Sequence, residues 1–176
     1  MNTTQHMLAI AAAALVAVGC STAAEPPARP GCRDAAFPAP FAAVDPCAPE
    51  QVLTTAIRAI FDYRPAEQPD PRFAFIAAAP LLDPGLIESG REASLVWAPV
   101  TTGQWQRWRT ENTTLVTTVD IERDDHPPDT ETEVNRVLAV TVTPVGQASL
   151  VFAVYALTAR PRAGAGWQLA GLGVRG

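Results

Sequence analysis

The fold is decided by the stretch Val134-Asn-Arg-Val-Leu-Ala-Val-Thr-Val-Thr143, in which β-branched residues dominate and which a proline and a glycine follow. Its even-numbered positions form an apolar face that Arg136 interrupts. Its odd-numbered positions are more polar, apart from Val137. One buried face and one partly wet face are typical of a strand in an antiparallel sheet.

Three neighbouring segments also read as strands. Residues 113–122 are rich in Thr and Val, residues 150–158 are apolar on both faces, and residues 167–174 carry two glycines. Periodicity alone leaves a buried helix open for 150–158, but Val, Phe and Tyr favour a central strand covered on both sides. The short connection 144–148 predicts a hairpin, and Gly171 and Gly173 predict a bulge or a close neighbour in the last strand.

The residues before this block read as helices. Pro49 suits a first helical position, and apolar residues follow it at spacings of three and four, which predicts an amphipathic helix with a core-facing stripe. Asp70-Pro71 and Asp83-Pro84 predict two more helix starts. We expect Pro80 to break the first of these helices and Gly90 to stop the second. The inner face of the first should carry Phe73, Ile76 and Ala77.

Two segments with large apolar residues follow these helices. Residues 95–97 (Leu-Val-Trp) read either as a short edge strand or as a core plug. Residues 102–108 predict one more helical turn that places Trp105 and Trp108 on a common face. Such a pair lines a pocket in some proteins and fills the edge of the core in more of them. The expected fold class is α+β, with N-terminal helices packed on a curved antiparallel sheet of four or more strands.

Composition limits the classes of function. A chain of 176 residues fits one domain of ordinary size with a tail. Its net charge is −5 and its pI is near 5.0, and no basic patch is visible. This argues against a nucleic-acid partner.

The N-terminus reads as an export signal. Residues 7–19 form an unbroken apolar run that is too short for a comfortable membrane span. The run ends in Val16-Ala-Val-Gly-Cys20, which resembles the lipobox of bacterial lipoproteins. That resemblance implies cleavage before Cys20 and diacylation of its thiol. Residues 1–7 lack the usual Lys or Arg, so a plain secretory signal and a retained N-terminal anchor stay as alternatives.

If Cys20 is acylated, two cysteines remain, Cys32 and Cys47. Because an exported protein lies in an oxidising compartment, this even remainder suggests a Cys32–Cys47 disulfide, which would stabilise the fold by about 3 kcal/mol. Their spacing matches no zinc pattern, and no Cys-x-x-Cys redox motif is present. The predicted organisation is a signal peptide (1–19), a Pro/Ala-rich tether (20–46), partly ordered near its end by the disulfide, and one domain (47–176).

The order of these elements resembles the nuclear transport factor 2-like fold, a cystatin-like roll. The resemblance rests on the helices predicted over 49–63 and 70–82 and on the strands that begin near residues 113, 134, 150 and 167. Exported actinobacterial proteins associated with mammalian-cell-entry transporters are similar, as are periplasmic domains of type IV secretion components. The resemblance implies an assembly or adapter module with envelope protein partners. Together with the lipobox at Cys20, it predicts a module that is lipid-anchored on the extracytoplasmic face of the cell membrane.

The mature chain offers few groups for chemistry. His126 lies in Asp124-Asp-His-Pro-Pro-Asp129, which reads as a solvated loop or a weak metal site. Asp62 and Tyr63 are candidates for a base and a hydrogen-bond donor, although Asp62 lies off the apolar stripe of its helix. Asp120 should point outward from its strand. We therefore predict no catalytic residue, metal or cofactor.

A ligand pocket is the remaining site to consider. Arg136 falls on an apolar strand face, where it would form a structural ion pair or hold an anionic ligand. With Trp105, Trp108 and Tyr155 it makes up a possible pocket in the mouth of the roll. The leading hypothesis is a non-catalytic adapter, and the alternative is a binder of small apolar ligands. An enzyme of the same fold would need a buried acid–base pair that the sequence does not reveal.

Replacement of Cys20 by alanine tests the lipidation. We expect the parent chain, grown with an alkyne-tagged fatty acid, to carry the label and to stay with the membrane fraction. The Cys20→Ala variant should lose both properties. A matched Ser21→Ala variant should keep them, and a labelled Cys20→Ala variant would contradict the prediction.

Overall fold

A computed structural model describes residues 31–123 and 126–175 as a layer of helices packed on one face of a four-stranded sheet. The predicted signal peptide, Cys20 and the first part of the predicted tether lie outside the described residues. The helices are α1 (Pro49–Ile60), α2 (Arg72–Ala77), α3 (Pro84–Ala93) and α4 (Thr102–Thr110). Short 3-10 turns occupy Cys32–Asp34 and Ala79–Leu81.

Helix α1 forms as its sequence predicts. Pro49 takes the first helical position, where its missing N–H leaves no hydrogen bond unmade. The helix buries a continuous stripe of five side chains: Val52, Leu53, Ala56, Ile57 and Ile60. It contacts all four strands, so this stripe supplies the central contact between the two layers.

The sheet is antiparallel with strand order β1-β2-β3-β4, where β1 is Leu115–Ile121, β2 is Glu133–Pro144, β3 is Leu150–Ala159 and β4 is Gln168–Arg175. The predicted α+β class with a four-stranded antiparallel sheet is confirmed. The inner face, toward the helices, carries the even-numbered residues of β2, as the alternation predicts.

The prediction that both faces of β3 are covered is wrong. The side chains of Phe152, Val154, Ala156 and Thr158 are buried against the helices, whereas Val151 and Tyr155 on the outer face are exposed. The described helices pack on one side of the sheet. The outer face of β3 is apolar without being enclosed.

The glycines of β4 mark the irregularity that the sequence predicts. Leu157 pairs with Gly171 and Thr158 pairs with Leu169, so the register shifts by one residue at this point. A Cβ atom on Gly171 would lie 3.3 Å from the Leu157 Cβ. The bulge is therefore confirmed, and the close neighbour is confirmed at Gly171, whereas a Cβ atom on Gly173 would meet nothing within 4 Å.

The prediction of which α2 residues face the core is wrong. Ala74 and Phe75 are buried, whereas Phe73 is 45% exposed and Ile76 and Ala77 are also exposed. The helix begins at Arg72, after Pro71, and comprises six residues. A helix of fewer than two turns has no repeating stripe to fix its orientation, so the contact made by Phe75 decides which side turns inward.

Gly90 does not stop α3. It is buried inside the helix, which continues to Ala93. A Cβ atom at this position would lie 2.6 Å from Phe75 Cζ and 3.0 Å from the Trp97 ring, so the glycine allows the Phe75 and Trp97 side chains to approach the helix backbone. Their rings meet edge to face, with centroids 5.3 Å apart. Residues 95–97 form no strand, and of the three, Trp97 acts as the core plug.

Replacement of Gly90 by alanine should destabilise the domain, because the added methyl group overlaps the Phe75 ring. We expect the free energy of unfolding to fall by about 1–3 kcal/mol in urea denaturation. The matched control is Gly103→Ala in α4, where the Cβ atom meets nothing closer than 3.8 Å. That change should raise stability by about 0.5–1 kcal/mol. If both substitutions changed the free energy of unfolding equally, the close approach of the Phe75 and Trp97 rings to Gly90 would be refuted.

Candidate functional site

The segment before α1 is fastened to the domain. Cys32 and Cys47 form the predicted disulfide, with Cα atoms 5.2 Å apart. Phe37, Phe41 and Val44, within the predicted tether, pack against the buried core. The Cys32 N–H also donates a hydrogen bond to the Gly164 carbonyl in the β3–β4 connection. The described part of this segment therefore rests on the domain at residues 31–47.

The two tryptophans of α4 lie in the core. Trp105 and Trp108 are 3% and 1% exposed. The Trp105 indole N–H donates to the Pro69 carbonyl (3.0 Å), and that of Trp108 donates to Gln147 Oε1 (3.2 Å). The Tyr63 ring meets the Trp105 ring edge to face, with centroids 5.4 Å apart. All three rings belong to the buried core cluster.

Arg136 forms two ion pairs, one of which joins the sheet to helix α1. Its guanidinium contacts Glu50 Oε1 in the first turn of α1 at 2.7 Å and Asp129 Oδ1 at 2.7 Å, and its side chain is 12% exposed. Hydrogen bonds from Arg136 lower the pKa of Asp129 below its ordinary value. This explains an arginine on an apolar face: it lies at the start of β2, where the two carboxylates neutralise it.

The other candidate groups lie apart from one another. Asp62 pairs with exposed Arg64 at 2.7 Å. Tyr63 is buried, and burial raises its pKa above the ordinary range. Asp120 is exposed on the outer face of β1, as predicted. His126 Nδ1 lies 2.9 Å from the Pro127 carbonyl oxygen. Among the described residues, no cluster of His, Cys, Asp and Glu has the composition of a metal site; Asp124 and Asp125 lie outside that set.

An outer cleft of about 280 Å³ lies on the side of the sheet away from the helices. His126 and Pro127 form one wall, Val137 and Tyr155 lie on its floor, and Gly171 lies on the β4 side. Of the four residues proposed for a pocket, Arg136 and Tyr155 line this cleft, whereas Trp105 and Trp108 do not. The cleft was not predicted from the sequence, although Gly171 and Gly173 indicate that one face of β4 lacks side chains.

A helix-side cleft of about 250 Å³ lies between the start of α4 and the segments before α2 and α4. Its apolar walls are Pro69, Pro71, Leu95, Val96 and Trp105. Val96 is 79% exposed, the highest value among the large apolar side chains that the structure describes as exposed. Beside it, Arg72 pairs with Asp70 at 2.9 Å and with Glu92 at 3.4 Å.

Comparison with known proteins found no match among family models, curated proteins or solved structures. Within residues 31–123 and 126–175, no helix combines the length and the hydrophobicity that a membrane span requires.

Replacement of Arg136 by glutamine should leave two carboxylates facing a neutral amide. We expect the free energy of unfolding at pH 7 to fall by about 1–3 kcal/mol. Because the folded-state pKa of Asp129 is lowered, its contribution is complete above the ordinary Asp pKa of about 4. That contribution is lost as the pH falls through the lowered pKa, so the difference between parent and variant should shrink in acid.

Urea denaturation of both proteins across this pH range measures that difference. Arg64→Gln is the control, because its ion pair with Asp62 is exposed and should contribute about 0–1 kcal/mol. If the loss of stability caused by Arg136→Gln does not change with pH, the arginine stabilises the domain by packing and not by its ion pair.

Proposed function

We propose that the protein is an exported, lipid-anchored, non-catalytic adapter of a cell-envelope transport or secretion assembly. The observation that supports this most is the exposure of large apolar side chains outside the buried core. Large exposed apolar surfaces in soluble domains mark sites of interaction with other molecules. The lipid anchor in this proposal rests on the lipobox resemblance around Cys20.

One large cluster of buried side chains occupies the interior of the domain. The core cluster runs from α1 through the aromatic side chains Phe61, Phe75, Trp105 and Trp108 to the inner face of the sheet. The two clefts described above open to the surface, and Trp105 of this cluster forms part of the wall of the helix-side cleft. A partner would therefore contact the outside of the domain rather than enter the space between its layers.

The helix side offers a surface of the kind that protein partners use. We define the helix-side patch as the exposed side chains of Phe73, Ile76, Leu95 and Val96. Leu95 and Val96 also form one wall of the helix-side cleft, and the Asp70–Arg72–Glu92 ion pairs lie beside it. An apolar centre with a charged rim is the common anatomy of a protein interface.

A second candidate function is the binding of a small apolar ligand. The outer cleft supports it, because apolar Val137, Tyr155 and Leu157 line a space of about 280 Å³. That volume is near the lower limit for sites that enclose small molecules. Retention of a lipid or other apolar compound through purification, and its loss on Tyr155→Ala, would favour this function over the adapter.

Crosslinking in the native membrane tests the adapter role. A photo-crosslinking amino acid at position 96 should yield one or a few defined envelope proteins, identified by mass spectrometry. A second substitution in the patch, Phe73→Asp, should reduce the yield at least several-fold while the domain stays folded, because Phe73 is 45% exposed and is not part of the buried core.

The matched control places the crosslinker at Val145, which is 63% exposed in the β2–β3 turn and is not part of the helix-side patch. It should not capture the same proteins. If position 96 captures nothing while the protein is abundant and membrane-bound, the adapter proposal fails.

A further inference from the structure

The outer face of the sheet carries opposite charges at the two ends of one row of residues. The strand register places Asp120 of β1 beside Ala139 of β2, Ala139 beside Ala153 of β3, and Ala153 beside Arg175 of β4. This charged row therefore runs across the whole sheet as acid, alanine, alanine, base. Asp120 and Arg175 are both exposed.

A twofold axis parallel to the strands, between β2 and β3, makes this row complementary to itself. Rotation about that axis stacks a second copy face to face with the first, so that β1 of one copy lies over β4 of the other. Asp120 of each copy then lies over Arg175 of its partner, and Ala139 lies over Ala153. The two small side chains allow close approach at the centre, while an ion pair forms at each end.

The face also has a raised side. His126 and Pro127 form a wall above β2, beside Val137, which is 2% exposed although it lies on the outer face. On β4, Gly173 leaves an open position, because a Cβ atom there would meet nothing within 4 Å. Since the axis lies between β2 and β3, the same rotation places the wall of each copy over β3 of the other, where the Tyr155 ring is exposed.

The side chains of this face suit contact with another protein surface. Tyr155 is 40% exposed, and Arg175 donates a hydrogen bond to its hydroxyl at 3.2 Å while its guanidinium lies 5.4 Å from the ring centroid. Val151, in the adjacent row of β3, is also exposed. Between Asp120 and Arg175, the outer face is uncharged. This holds for the outward side chains of β2 from Asn135 to Thr143 and for those of β3 from Val151 to Leu157.

We propose that the outer face of the sheet binds a second copy of this chain in a symmetric, face-to-face dimer. Asp120 of each copy pairs with Arg175 of its partner, and the His126–Pro127 wall of each copy lies against β3 of the other. A four-stranded face of this length is at the small end of specific interfaces, so the dimer is weak, with a Kd on the order of 10–100 μM. This inference is independent of the adapter role, which uses the helix-side patch.

Sedimentation equilibrium tests the dimer. The full chain, purified in a density-matched detergent, is measured from about 1 to 300 μM, a range that brackets the expected Kd. We expect a monomer–dimer equilibrium. Asp120→Arg and Arg175→Asp should each weaken it about tenfold, because each change places like charges together twice in the dimer. The double variant should return the Kd to within about threefold of the parent value, since it restores both pairs in reverse.

Gly173→Leu tests the shape of the interface. A Cβ atom at Gly173 meets no atom within 4 Å in one copy, so the domain accepts the change, but the added side chain projects from the outer face into the space between the two copies and should abolish dimerisation. The matched charge controls are Glu88→Arg and Arg91→Asp on exposed positions of α3, which should leave the Kd unchanged. Circular dichroism and urea denaturation confirm that each variant is folded.

The parent chain remaining a monomer at the highest concentration would overturn the proposal. A dimer that tolerates Gly173→Leu or both single charge reversals would also overturn it, because its interface would lie elsewhere. The same holds if the double reversal fails to restore association. Since these readouts do not involve envelope partners, failure here leaves the crosslinking result at position 96 to be judged separately.

Discussion

The packing of α1 on the sheet is the contact on which the rest of the structure depends. Its buried stripe, from Val52 to Ile60, touches all four strands, and the aromatic side chains of the following segments pack around it. Because one helical layer covers the inner face, the outer face has to meet solvent or a partner. The Arg136 ion pairs with Glu50 and Asp129 fix one end of α1 to the sheet, and the Cys32–Cys47 disulfide holds the segment that leads into it.

The sequence predicts the fold where periodicity is long enough to decide it. Helix α1 and the strands carry repeating patterns over many residues, and Gly171 and Gly173 correctly indicate a bulge. Helix α2 is too short for a pattern to set its orientation, so Phe73 was placed inside and is exposed. Gly90 illustrates an ambiguity in glycine itself, because the absence of a side chain suits a helix end and close packing equally well.

The surface features were less predictable, because they depend on which residues the strand register brings together. Asp120 could be assigned to the outer face from its own strand, but its position in one row with Arg175 requires the pairing of all four strands. Arg136 was correctly singled out as unusual on an apolar face. Its partners could not be named from the sequence, since Glu50 is in a distant helix and Asp129 in an irregular loop.

The two exposed surfaces lie on opposite layers of the domain, and this arrangement separates two kinds of contact. The helix-side patch consists of large apolar side chains, which suits affinity for a different protein. The outer face of the sheet is broader and more polar, and its two charges contribute more to selecting a partner in the right orientation than to binding energy. A lipid anchor would raise the local concentration of copies at the membrane, so a dimer that is weak in solution would form there without a larger interface. Two copies joined through their sheets would then present two helix-side patches on opposite sides, which favours the assembly of partners in pairs.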